Sequence, residues 1–173
     1  MGREVRMVPA NWQHPKYTEG SAPYPRAVGH YIPMNEGGYT HAAAEWDEGH
    51  AKWGDGLVQS YGNGEEWVPK TDEHVGRYTE YAGPRPSPDD YMPDWPEAER
   101  THLMMYEDTS EGTPISPAFA TPEELARWLV DNDASAFADQ TATYEQWLAM
   151  INRGWAPSAV IQGGVMTSGV ASA

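Results

Sequence analysis

The sequence predicts an α+β fold, in which a small antiparallel sheet carries two or three helices on one face beside an extensive irregular N-terminal half. Two Thr-x-x-Glu/Gln capping boxes, each followed by apolar residues at helical spacing, predict the helices. Short apolar runs on either side of these helices have the length of strands. The first 39 residues hold five prolines and several tyrosines without any periodicity, which predicts the irregular half.

Aromatic residues argue against a disordered chain. Leu, Ile, Val and Phe supply only 21 of the 173 residues, a proportion that alone would indicate disorder. The chain also has 8 Trp and 10 Tyr, and each such side chain buries about 150–250 Å² when it packs. We therefore expect a folded protein whose core is built from Trp, Tyr, Met, Ala and Val.

Residues 1–83 are predicted to be irregular apart from one helix at about 40–53. Thr40 is its expected N-cap, and Gly54 suits the position just after its end. The Pro- and Tyr-rich first 39 residues form an extended segment that either packs on the domain or stays mobile until it binds a partner. Three prolines at the start of the stretch 84–96 predict a linker there, because each removes a backbone donor and restricts the preceding residue.

Residues 97–161 are predicted to form a compact α+β unit. Its elements, in order, are strands at 101–106 and 115–119, helices from Thr121 to about Asn132 and from Thr143 to Gly154, and a strand at 156–161. Pro114 and Pro117 make the second strand an edge strand. The Gly-rich residues 162–173 are predicted to be a mobile tail.

Net charge limits the possible partners. The chain has a formal charge of −15, and the part after residue 86 holds 14 acidic and only 3 basic residues. A nucleic-acid-binding surface needs basic residues that replace phosphate counterions, so we expect no direct nucleic-acid binding. No apolar stretch is long enough to span a membrane, and no secretory signal is recognisable, which predicts a protein that stays in the compartment where it is made.

Motifs for catalysis and for metal binding are missing. The chain has no cysteine, no Gly-x-Ser-x-Gly elbow and no phosphate-binding loop. His41, Glu45 and His50 share the first predicted helix, but the His-Glu-x-x-His order of a zinc site is absent. Adjacent carboxylates arise by chance in a chain with 26 acidic residues. We therefore predict no catalytic residue, no metal site and no cofactor.

Residues 89–111 carry the strongest functional signal. Eight carboxylates stand there against one basic residue, Arg100, and aromatic residues lie between them. The segment is either a solvated face that keeps the protein soluble or a recognition surface for a basic partner; divalent-cation binding is a third alternative, although the usual calcium-loop pattern is absent. The candidate partner-binding residues are Asp89, Asp90, Tyr91, Asp94, Trp95, Glu97, Glu99, Glu107, Asp108 and Glu111.

Four strings give the chain a resemblance to a known group of proteins. They are GREVRMVPANWQHP (residues 2–15), WPEAERTH (95–102), YEDTSEGTPISP (106–117) and APSAVI (156–161). The chain resembles small bacteriophage and prophage proteins of uncharacterised function. This resemblance implies a phage accessory protein in the cytoplasm of a bacterial host, and it brings no catalytic motif, cofactor or substrate.

Three hypotheses of function follow. The first is a non-enzymatic inhibitor, of the anti-CRISPR or DNA-mimic type, that binds a basic host protein through the acidic half. The second is a phage structural or assembly protein that wraps a neighbouring subunit with its first 39 residues. The third is an enzyme or small-ligand module with a pocket lined by Trp and Tyr.

Overall fold

The structure is a computed structural model that describes residues 2–60, 66–108, 112–162 and 165–172, and it confirms the predicted α+β class. The strands are β1 Gly2–Val8, β2 Leu57–Ser60, β3 Glu66–Pro69, β4 His102–Glu107, β5 Thr113–Pro114, β6 Trp155–Pro157, β7 Ala159–Gln162 and β8 Val165–Ser168. The helices are α1 Tyr39–Gly54, α2 Tyr78–Ala82, α3 Pro122–Asp131 and α4 Tyr144–Arg153, with 3₁₀ turns at Pro25–Ala27, Pro88–Asp90 and Glu97–Glu99.

The chain divides into two compact units. Unit 1 combines Met1–Glu36 with Pro93–Ala173, and unit 2 is Gly37–Met92. One boundary between the units falls inside the predicted linker 84–96. The other boundary was not predicted: the first 36 residues belong to the same unit as the C-terminal half.

The main sheet of unit 1 is antiparallel and has the strand order β5-β4-β1-β6. One of its two inner strands, β1, comes from the segment that the sequence predicted to be irregular. The sequence of β1 lacks the alternation of apolar and polar residues that marks a strand with one buried face. Two of its charged residues, Arg3 and Arg6, are buried. Their charges have partners: Arg3 donates to Glu107 at 2.7 Å and Arg6 donates to Glu4 at 2.6 Å. A buried arginine with a carboxylate partner resembles a surface residue in the sequence.

Helices α3 and α4 cover one face of this sheet, as predicted. The hydroxyl oxygen of Thr121 accepts the backbone N–H of Glu124 at 3.2 Å, and the Glu124 carboxylate accepts the N–H of Thr121. Thr143 and Gln146 form the same reciprocal box at the start of α4. Both capping boxes are thereby confirmed. The core between helices and sheet consists of buried side chains that include Met105, Leu125, Leu129, Trp147, Met150 and Ile151.

The opposite face of the sheet is covered by irregular chain from residues 9–36. Alternation along β4 places Tyr106 on this face, because Met105 belongs to the core on the helix side. His14, Met34 and Ala27 of the irregular segment are buried. Of the two alternatives for the N-terminal segment, the structure therefore shows the one in which it packs on its own domain.

The last residues differ from the predicted mobile tail. β8 pairs with β7 in an antiparallel two-stranded sheet, and Ser168 and Val170 are completely buried. Val170 joins the core of unit 1, and the backbone N–H of Ser168 donates to Gln140 at 3.1 Å. Small residues allow this packing, since no Cβ would fit at Gly169 beside the backbone of Pro157.

Unit 2 consists of α1, the β2–β3 hairpin and α2. The predicted helix at 40–53 is confirmed, although Gly38, not Thr40, occupies the N-cap position, and Gly54 is the last residue of the helix, with Asp55 as its C-cap. An aromatic cluster holds the unit together: Trp53 stacks on Tyr81 with ring centroids 4.9 Å apart, and the Lys70 ammonium lies 3.7 Å from the centre of the Trp53 ring. Gly49, which weakens the interior of α1, leaves the space that the Tyr78 ring fills.

Candidate functional site

The predicted acidic segment is divided between the two units. Asp89, Asp90 and Tyr91 belong to unit 2, whereas the candidates from Asp94 to Asp108 belong to unit 1. Glu111 lies outside the described residues. The ten candidates therefore do not form one continuous surface of a single unit.

Within unit 2, the candidate acids are part of a capped turn. Asp89 and Asp90 are exposed in the 3₁₀ turn Pro88–Asp90. The hydroxyl oxygen of Ser87 accepts the N–H of Asp89, and the Asp90 carboxylate accepts the N–H of Ser87 at 3.4 Å. Tyr91 makes an edge contact with the ring of Tyr39 at 5.7 Å. These contacts explain the local structure of the turn without a partner.

Two candidates in unit 1 hold the sheet together. Glu107 accepts from the buried Arg3 guanidinium at 2.7 Å. Asp108 accepts the backbone N–H of Gly2 and the indole N–H of Trp155. Both carboxylates are only half-exposed, and we assign them to the structure rather than to partner binding.

The remaining candidates in unit 1 are three exposed acidic residues and one tryptophan whose ring packs against another ring. Asp94, Glu97 and Glu99 are exposed, and Trp95 between them is half-buried. The Trp95 ring makes an edge contact with the ring of Trp12, with centroids 4.7 Å apart. We call Asp94, Glu97 and Glu99 the acidic turn. Trp12 links this surface to the cavity described below.

A hydrogen-bonded network joins the N-terminal segment to β4. His14 Nε2 lies 2.7 Å from the carbonyl oxygen of Ile32, and a carbonyl oxygen only accepts, so Nε2 carries the proton. In the neutral ring Nδ1 then accepts, and it receives the hydroxyl proton of Tyr106 at 3.0 Å. The indole N–H of Trp12 donates to the same hydroxyl oxygen at 3.3 Å.

Burial keeps both titratable members of this network neutral. Loss of solvation lowers the pKa of His14 below its ordinary value, although the hydrogen bond to Ile32 acts in the opposite direction. Burial also raises the pKa of Tyr106 to about 12. The hydroxyl of Tyr106 therefore stays protonated, and it works as a fixed donor and acceptor at neutral pH.

One cavity opens beside this network, and a second cavity adjoins the first. The first, which we call the His14 cavity, has a volume of about 550 Å³ and is lined by Trp12, Gln13, His14, Lys16, Tyr31, Ser116, Pro117, Ala118 and Trp128 among others. The second, the α3 cavity, measures about 740 Å³, and its lining includes His102, Ala118, Phe119, Glu123, Glu124, Arg127, Trp128, Asp131 and Tyr144. Ala118 and Trp128 line both. The two cavities are separate and adjoin at these two residues, and we call them together the Trp128 groove.

Sequence reasoning missed this groove. Trp128 lies in the helix predicted from Thr121 to about Asn132, and part of the remaining lining, from Ala10 to Tyr31, comes from the segment predicted to be irregular. The only available signal was the pair Pro114 and Pro117, which predicted an edge strand where the groove now lies. The edge strand of the sheet is β5, Thr113–Pro114, and not the predicted 115–119, of which Phe119 forms an isolated bridge with Leu103.

A metal centre is not found in the part of the chain that the structure describes. His41 and Glu45 do meet, with 3.1 Å between Nδ1 and Oε2, but both side chains are largely exposed on α1. Among the described residues, no helix is both long and apolar enough to cross a membrane.

Comparisons with family models, with curated proteins and with solved structures gave no match for this chain.

Proposed function

We propose that this chain is a phage-encoded accessory protein that binds a basic protein in the cytoplasm of a bacterial host and inhibits it, in the manner of an anti-CRISPR protein or a DNA mimic. The acidic turn carries the proposal. Its three exposed carboxylates stand next to Trp95 in the chain, at positions 94, 97 and 99, and the Trp95 ring packs against Trp12. A partner that handles nucleic acid presents the complementary charge.

Physical chemistry supports this use of the surface. Opposed electrostatic fields raise the rate at which two proteins meet, often by orders of magnitude at low salt. A tryptophan that is already packed loses little conformational entropy on binding and supplies apolar contact area, as interface anchors do. The acidic turn thus combines long-range attraction with a prearranged anchor.

Affinity capture from a bacterial lysate, at low and at high salt, tests the proposal. The immobilised wild-type chain is compared with the variant Asp94→Asn/Glu97→Gln/Glu99→Gln. We expect one or a few basic proteins to be retained at low salt, and the triple variant to bind the purified partner about tenfold more weakly because steering and rim contacts are lost. Inhibition is then measured in the activity assay of that partner.

A matched control separates position from total charge. Asp133→Asn/Asp139→Asn combined with Glu19→Gln removes the same charge from exposed positions of unit 1 that lie outside the acidic turn. The control should bind like wild type. Retention that does not depend on salt, or equal losses in both triple variants, would contradict the proposal.

The His14 cavity favours a second candidate function, the binding of a small ligand. It is lined by three aromatic rings, from Trp12, Tyr31 and Trp128, together with the Lys16 ammonium. The alternative of a wrapping arm has no comparable support, because residues 9–36 cover the sheet of their own unit.

A further inference from the structure

A bulge of three residues in the edge chain of the main sheet shapes the Trp128 groove. The N–H of Ile115 donates to Met105 at 2.8 Å, and the N–H of Phe119 donates to Leu103 at 2.8 Å. One residue lies between the two β4 residues, but three lie between the two edge residues, so the edge chain bulges outward. The Ser116 hydroxyl fills the gap in the ladder by accepting the N–H of Met105 at 2.9 Å.

The bulge makes this edge unsuitable for an added strand. Pro117 stands at its centre, and proline has no backbone N–H to donate. The hydroxyl of Ser116 donates to the carbonyl oxygen of Pro117 at 2.8 Å, which occupies the nearest acceptor. A ligand of this groove must therefore be recognised by side chains and not by continued sheet hydrogen bonding.

The walls of the groove are aromatic. The Trp128 ring packs against Phe119 with centroids 6.1 Å apart, and it forms part of both cavities. Trp12 and Tyr31 line one end, and Tyr144 lines the other. Grooves lined by Trp, Tyr and Pro suit extended peptides in the polyproline II conformation, whose proline ridges fit between rings and lose little entropy on binding.

Trp128 also offers an unused hydrogen-bond donor. Its side chain is half-exposed, and its indole N–H has no acceptor within the described ranges. The backbone carbonyls of a polyproline II peptide have no internal hydrogen bonds. They can accept from a donor at the centre of the groove.

The charged side chains along α3 indicate the charge of the ligand that fits this end of the groove. Glu123 and Asp131 are exposed one turn before and one turn after Arg127, and all three line the α3 cavity. The Arg127 guanidinium lies 4.3 Å from the centre of the Tyr144 ring. With Glu124 added, this end of the groove has three carboxylates and one guanidinium, which favours a cationic side chain.

We propose that the Trp128 groove binds an extended, proline-containing peptide segment, with a lysine or arginine of that segment at the Glu123 and Asp131 end. This inference rests on the proposed function, since it gives the basic partner a second point of attachment.

Selection from a library of random dodecapeptides displayed on filamentous phage tests the groove without assuming a sequence. The immobilised full chain is the target, and enriched peptides are synthesised and titrated. We expect enriched sequences to combine proline with lysine or arginine, and the titration to shift the NMR signal of the Trp128 indole N–H. No enrichment, or enriched sequences without proline and without a basic residue, overturns the proposal.

Variants locate the bound peptide. Glu123→Gln/Asp131→Asn should weaken the selected peptides about tenfold, because two exposed charge contacts are lost, whereas Asp133→Asn/Asp139→Asn should leave the affinity unchanged. Trp128→Phe removes the indole N–H and should also weaken binding. If Trp128→Phe fails to fold, Glu123→Gln/Asp131→Asn and its control still test whether the peptide binds in the groove. Equal affinity for the groove variant and its control overturns the proposal.

The lysate capture distinguishes failure of the proposed function from failure of the groove proposal. Loss of the host protein in the acidic-turn variant, combined with full retention by Glu123→Gln/Asp131→Asn, leaves the proposed function standing and overturns the groove as an attachment point. Absence of any captured host protein contradicts the proposed function, even if the groove still selects basic proline peptides.

Discussion

Replacement of Tyr106 by phenylalanine removes one oxygen atom from the centre of unit 1. The ring stays between the sheet and residues 9–36, and the Arg6 guanidinium, 4.4 Å from the ring centre, keeps its aromatic contact. Two hydrogen bonds to residues 9–36 are lost, since Trp12 loses its acceptor at 3.3 Å and His14 Nδ1 loses its donor at 3.0 Å. The hydroxyl also loses a contact of 3.5 Å with the sulfur of Met104, which competes with His14 for its single proton. The substitution therefore tests the network almost independently of packing.

The magnitude follows from the different exposure of the two partners. His14 is 6% exposed, so its Nδ1 remains buried without a partner, which costs about 1–3 kcal/mol. Trp12 is half-exposed, and its indole can turn towards water, so its loss is at the low end of the range of about 0.5–1.5 kcal/mol for a hydrogen bond. We expect Tyr106→Phe to lower the free energy of unfolding by about 2 kcal/mol, which corresponds to roughly 4–8 °C in Tm for a chain of this length.

Urea unfolding, followed by tryptophan fluorescence and by circular dichroism, measures this difference. Tyr24→Phe is the matched control, because the Tyr24 side chain is 61% exposed and loss of its hydroxyl should change stability by less than about 0.5 kcal/mol. Nitrogen NMR of the His14 ring gives an independent readout, since the network requires the proton on Nε2 in the wild-type protein. A Tyr106→Phe variant as stable as the control, or a wild-type His14 with its proton on Nδ1, would refute the reasoning.

Two further predictions concern the same unit. Gly112→Ala should lower the free energy of unfolding by about 2 kcal/mol more than Gly29→Ala. Both glycines have positive φ, 91° and 85°, but of the two only Gly112 would place a Cβ against the carbonyl oxygen of Met34. Equal losses of stability in urea unfolding would show that this close contact is unimportant. Because the pKa of His14 is lowered in the folded state, the unfolded chain binds the proton first, and stability should fall as pH drops below about 6.5 until the lowered pKa is passed. His14→Gln should remove this component, and a wild-type stability curve parallel to that of His14→Gln between pH 7.5 and 5 would contradict the assignment.

The helices of unit 1 were predictable because their signals are local. A capping box specifies where α3 and α4 begin, and apolar residues at helical spacing specify which face is buried. The order of the strands was not predictable in the same way. β1 pairs with residues about a hundred positions away, and its buried Arg3 and Arg6 look like surface residues until Glu107 and Glu4 are seen beside them.

The acidic residues were visible from composition, but their roles were not. Glu107 and Asp94 are indistinguishable in the sequence, yet Glu107 binds a buried guanidinium and Asp94 is exposed. The groove depends on a bulge that brings Pro117 into the lining of the same cavity as Trp128. A bulge is one or two extra residues in an edge strand, and the sequence alone indicates the edge, through its prolines, but not the size of the bulge.

The deficit of aliphatic residues has a structural consequence in the face that residues 9–36 cover. An irregular segment over a purely aliphatic sheet could shift, because hydrophobic contacts are not directional. Here His14 and Trp12 bring polar atoms to the sheet, and each must meet a partner at hydrogen-bonding distance. Tyr106 supplies that partner for both, and it fixes this part of the irregular segment although no strand or α-helix is formed there. The Tyr106 hydroxyl and the neutral His14 therefore fix one end of the N-terminal segment, and Arg6 fixes the other end by donating to the carbonyl oxygen of Met34 at 2.6 Å. Trp12, which links the acidic turn to the Trp128 groove, is positioned by the same Tyr106 hydroxyl.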